Sequence, residues 1–113
     1  MAGTTLGWVI LFWALQIAAN LFFKWGSDGT LRWLHGFLLG HTFGITSMAV
    51  LMLLYKHLNP NIAFGIAFGG AFLLSQFALA SVFQTQLNWV QYGGVIAIAL
   101  GMMALAGGSS IGA

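Results

Sequence analysis

Gln16, Asn20 and Lys24 recur every four residues along the first apolar stretch of the chain. On a helix of about 3.6 residues per turn they share one face and drift by only about 40°. Carboxamides both donate and accept hydrogen bonds without ever carrying charge, whereas an ammonium only donates. Two further polar residues, His41 and Gln76, stand inside the second and third apolar stretches. At a rise of about 1.5 Å per residue, Gln16, Asn20, His41 and Gln76 fall roughly 2–8 Å from the middle of their stretches, all toward the same end. They form a candidate polar layer able to hold a ligand head group or a pigment. The other reading is that they hydrogen-bond between helices and fix register, at about 0.6 kcal/mol each. His41 is the one imidazole among them. A lone histidine in hydrocarbon is a functional candidate, here as an axial ligand of a porphyrin-type metal. His35 and His57 belong to stretch ends.

Other chemistries are excluded by what the chain lacks. It has no cysteine, one Asp and no Glu. There is therefore no thiolate, no sulfur metal site and no carboxylate pair for acid–base catalysis. An enzyme is not expected, and no metal site beyond the His41 option is. The formal charge of +2 is small and scattered, which argues against nucleic-acid binding.

The elements that must carry these residues follow from composition. Of 113 residues, 60% are hydrophobic and 4% charged, against about 25% charged in ordinary soluble domains. A chain with so few polar residues cannot cover a soluble surface, so an integral membrane protein is expected. A spanning helix needs roughly 20 mainly apolar residues, because its backbone groups must bond within the segment. Four stretches qualify, at about 4–25, 33–55, 62–83 and 89–106. They predict an all-α fold, a four-transmembrane-helix bundle forming a single domain over 1–113, with both termini on one side. The first stretch has no basic leader and is too long for a removable signal. Lys24 and Arg32 flank the first loop, and Lys56 marks the other side. That weakly favours cytoplasmic first and third loops, and so small a bias also suits insertion in both orientations. Trp8, Trp25, Trp33, Trp89, Tyr55 and Tyr92 lie near stretch ends as an interfacial belt, with Trp13 deeper.

Small residues mark faces where helix backbones approach closely. Gly36, Gly40 and Gly44 repeat every four residues on the second helix, and Gly65 and Gly69 do so on the third. These are assigned to packing within the chain. Gly94 and Gly101, seven apart on the fourth helix, are assigned to a contact between molecules, since so small a bundle encloses little alone.

Taken together these residues resemble the small multidrug resistance family of the drug/metabolite transporter superfamily. The resemblance spans about Leu6 to Ala106. It rests on Gln16-Ile17-Ala18-Ala19-Asn20-Leu21-Phe22-Phe23-Lys24-Trp25-Gly26, on Asn59-Pro60-Asn61-Ile62-Ala63-Phe64, and on the Gly94–Gly101 spacing. It implies an antiparallel dimer, often dual in topology, joined through the fourth helices. The family exports cationic compounds in exchange for protons through an embedded glutamate eight residues before the lysine. Here that position is Gln16, and the family's tyrosine and tryptophan after the Pro turn correspond to Phe64 and Ala67. Gln16 cannot exchange a proton, so coupling through a glutamate is not expected. The superfamily also includes small aminoarabinose-lipid flippase subunits, which resemble this chain in length and likewise lack that glutamate.

The sequence thus reads as a divergent transporter or lipid-carrier flippase subunit, a homodimer or complex subunit in a bilayer such as the bacterial inner membrane, without a cofactor. The alternative is a non-transporting accessory subunit of a larger redox or photosynthetic complex, touching lipids or pigments, with pigment or haem at His41.

Overall fold

The computed structural model describes the backbone of residues 3–112 and the side chains of residues 3–105. Four helices follow one another: α1 (Gly3–Ser27), α2 (Thr30–His57), α3 (Pro60–Val82) and α4 (Trp89–Gly112). The all-helical expectation holds for the described residues. α1, α2 and α3 are each long and apolar enough to cross a membrane. The part of α4 with described side chains, Trp89–Leu105, is also apolar and is shorter than the other three helices.

The helix ends show what stops each element. Asn59 caps α3, its side chain accepting from the Asn61 N–H at 2.9 Å, with Pro60 in the first turn where its missing N–H costs nothing. Gln84 closes α3 in the left-handed region at φ 55°. That bend lets the Thr85 N–H reach the Ala80 carbonyl at 3.1 Å, the six-residue closure normally built with glycine. Asn88 and Gln91 then exchange side-chain and backbone hydrogen bonds at 2.9 and 3.0 Å, a reciprocal cap that opens α4. Helix α2 begins at Thr30 and so takes in Arg32, earlier than its apolar stretch indicates. Helix α4 continues past Ala106 through the Gly/Ser stretch, since each added residue of an established helix gains a backbone bond.

The core lies among α1, α2 and α3. Val9 and Phe12 of α1 pack with Val50, Leu51 and Leu54 of α2 and with Ala63, Ala67 and Ala71 of α3. Phe12 meets Phe68 edge-on at 5.2 Å between ring centres. Apolar side chains gain little by leaving lipid for protein, so close approach and hydrogen bonds must hold the helices together. Gly26 and Gly36 supply that approach for α1 and α2: a Cβ on Gly36 would sit 2.6 Å from the Gly26 Cα and 2.7 Å from the Phe22 carbonyl oxygen. A Cβ on Gly40 would strike the Phe23 ring, and Gly44 lies over Ala19 at 4.0 Å. The Gly36–Gly40–Gly44 face is therefore internal. Gly70 serves α1 and α3 in the same way, leaving the space that the Trp13 indole fills.

The bundle is not closed. α4 packs on α3 alone among the described residues, touching neither α1 nor α2, and the molecule measures 49 × 34 × 19 Å along its principal axes. Met102 and Met103 fit over Gly69, while Val95 and Ala99 are the buried apolar residues of this helix among the described side chains. Ile96, Ile98, Leu100 and Leu105 stay exposed, and nothing lies within 4 Å of a Cβ placed on Gly94 or Gly101.

Candidate functional site

The residues of α1 that face α2 and α3 include its two carboxamides. The Gln16 Nε2 donates to the Ser47 Oγ at 2.7 Å, reaching α2. The Asn20 Nδ2 donates to the Ser75 Oγ at 3.1 Å, reaching α3. Both serines are buried. Ser47 also donates to the Gly44 carbonyl at 2.6 Å, so its hydroxyl is used on both sides. The paired amides hold α1 against two helices at once.

Beside these contacts, α1 and α3 part to leave a cleft of about 330 Å³. Gln16 and Asn20 line it from α1, and Phe68, Ala71, Phe72, Ser75, Gln76 and Leu79 line it from α3. The size falls at the lower end of ordinary ligand sites, roughly 300–1,000 Å³. Three of the four residues of the predicted polar layer thus come together. At about 1.5 Å per residue, the polar residues of the cleft sit within about 8 Å of the helix midpoints. Its walls carry no ionisable side chain. It can hydrogen-bond a ligand and enclose an apolar part of one, but it cannot neutralise a charge or shuttle a proton.

His41 does not join this layer, contrary to the sequence reading. It lies exposed on α2, its Nδ1 paired with the Phe37 carbonyl oxygen at 2.9 Å. Its ring packs against Phe37 at 4.1 Å and edge-on to Phe23 at 5.4 Å between centres. The reason is rotational phase. Six residues separate His41 from Ser47, about 120° around the helix, so when Ser47 faces Gln16 the histidine is carried to the outer flank.

Three participants do not stand out from the sequence. Ser47 and Ser75 are the partners of the amides, and each continues a stripe of small inward-facing residues. Ser47 lies seven residues beyond Gly40, and Ser75 follows Ala63, Ala67 and Ala71 at steps of four. That spacing is the signal that finds them. Trp13 is the other. Its indole N–H lies 3.2 Å from both the Ile66 and Ala67 carbonyl oxygens, which satisfies the donor that a tryptophan so far from an interface must place somewhere. Phe64 is exposed and Ala67 is buried in the core; neither lines the cleft.

A salt bridge of 3.2 Å joins Lys24 to Asp28, both largely exposed; the lysine Nζ also lies 5.9 Å from the centre of the Phe83 ring at the end of α3, and Lys24 does not line the cleft. Arg32 lies over the Trp25 ring at 5.8 Å at the same end. No cluster of residues suited to hold a metal ion occurs among the described residues. A scan against protein-family models, a search of curated proteins and a search of solved structures each return no match.

Proposed function

We propose that this chain is a small membrane transporter subunit on a scaffold like that of the small multidrug resistance family. It spans the bilayer four times, works as a homodimer, and moves its substrate through the α1–α3 cleft without proton coupling to a carboxylate. The observation that carries the reading is the cleft itself. In a chain with 4% charged residues, three carboxamides converge at mid-depth on an opening large enough for a ligand, where an exposed amide is costly unless something uses it. The dimer rests on α4. Its attachment to α3 alone, with Gly94 and Gly101 open, leaves a small-residue face free for a second copy. The bacterial inner membrane is the proposed location.

The accessory-subunit reading draws on one observation. His41 is exposed on α2 with its Nδ1 bonded to the Phe37 carbonyl, which leaves Nε2 without a protein partner among the described residues, as in an axial ligand whose other nitrogen is fixed. Purification in mild detergent separates the two. Transport predicts a small homodimer without visible absorbance. Stoichiometric recovery with a larger pigmented complex would favour the accessory role.

A further inference from the structure

Hydrogen-bond accounting of the cleft names the kind of group it takes. A carboxamide has two N–H donors and a carbonyl acceptor. Gln16 uses one donor on Ser47, and Asn20 uses one on Ser75. This leaves each with one amide hydrogen and its carbonyl, while Gln76 makes no side-chain hydrogen bond to another described residue. Of the two serine hydroxyls, Ser47 spends its hydrogen on the Gly44 carbonyl, whereas Ser75 accepts from Asn20 and keeps its own hydrogen as one more donor in the cleft wall. The vacant positions are thus donors and acceptors mixed together, set among Phe68, Phe72 and Leu79.

Ligand classes differ in how they answer such a set. A quaternary ammonium has neither donor nor acceptor and meets no balancing charge here. A carboxylate or phosphate would use only the N–H groups and bring an uncompensated charge into hydrocarbon. Hydroxyls each donate and accept, so adjacent hydroxyls on a ring match adjacent carboxamides, and the C–H face of that ring can lie on the phenylalanine rings. We infer that the cleft binds an uncharged polyhydroxylated group of the sugar type, held by Gln16, Asn20 and Gln76. The inference rests on the transporter reading for its purpose, though not for the binding itself. The group can arrive on a lipid or as a free sugar.

The test uses the full-length protein in nanodiscs containing equal amounts of monoglucosyl diacylglycerol and plain diacylglycerol, with lipids retained by the released protein counted by native mass spectrometry. The glycolipid should be retained at least about tenfold over diacylglycerol. The preference should be the same from about pH 5 to 8, the range in which histidine titrates, because no ionisable group lines the cleft. Gln76→Leu should bring the ratio close to one while the protein folds normally, since that side chain bonds nothing else described. Gln76→Asn, which keeps the amide, should retain part of the preference. Competition by methyl glucoside assigns the source to free sugar, and its failure to compete assigns it to the lipid-linked form. Equal retention of the two lipids by the wild type, with no methyl glucoside bound, would overturn the inference. So would a glycolipid preference that Gln76→Leu leaves intact, or tighter retention of tetraphenylphosphonium than of either sugar probe. Movement across the bilayer is scored separately. Sugar retention without movement overturns the transporter reading alone, and movement of another solute without sugar retention overturns this inference alone.

Discussion

At the scale of single residues, the Trp13 indole seated in the space left by Gly70 constrains α1 against α3. A methyl group at that position would strike the ring. Gly70→Ala should therefore displace the indole from the Ile66 and Ala67 carbonyls and destabilise the protein by about 1–3 kcal/mol, as overpacking does. Titration with sodium dodecyl sulfate measures it, and an unchanged midpoint would show that the ring has room to move. Of the cleft, the sequence makes Gln16, Asn20 and Gln76 legible, because depth in a membrane helix follows from counting residues and a carboxamide in an apolar run is conspicuous. The azimuth of His41 is not legible. α2 faces lipid on one side and protein on the other, and both are apolar, so hydrophobic periodicity does not say which way a residue points. Ser47 and Ser75 escape notice for a related reason. They belong to stripes of small residues whose role reads as packing.

At the scale of elements, two glycine faces have opposite surroundings. Gly36 touches the backbone of α1, whereas Gly94 and Gly101 meet nothing. Gly36→Leu should force α2 away from α1 and prevent the monomer from folding. Gly94→Leu and Gly101→Leu should leave the monomer inserted and intact but dissociate the proposed dimer. Crosslinking and sizing in detergent distinguish the outcomes, and an unchanged assembly in both fourth-helix variants would remove α4 from the interface. The helices themselves are legible because four apolar runs are separated by turn residues such as Gly29 and the Asn59-Pro60-Asn61 break. Their boundaries shift by a few residues where caps decide, as with Asn59 on α3. The separation of α4 from α1 and α2 is a tertiary fact that no local pattern carries, since its exposed side, with Ile96, Ile98 and Leu100, is as apolar as its packed side.

At the scale of the whole molecule, four crossings would place both termini on one side. The absence of cysteine makes this directly testable, with single cysteines introduced at Gly3, Asp28, Asn59, Gln86 and Ser110 and labelled from one face. Gly3 and Ser110 should label together in each molecule, and Asn59 with them, opposite Asp28 and Gln86. If α4 does not cross, Ser110 will instead label with Asp28. Proton-driven uptake of a quaternary ammonium compound should be absent, because Gln16 offers an amide dipole where exchange needs a carboxylate. The central claim, that the α1–α3 cleft moves an uncharged polar substrate across the bilayer, is tested most directly by leaflet exchange. Purified protein is reconstituted into vesicles with fluorescent monoglucosyl diacylglycerol, and a membrane-impermeant quencher reports how fast the lipid changes sides. The account predicts exchange at least about tenfold faster than in protein-free vesicles, independent of a pH gradient, and reduced to the protein-free rate by Gln76→Leu. Exchange no faster than in protein-free vesicles, or equally fast in the Gln76→Leu variant, would contradict it.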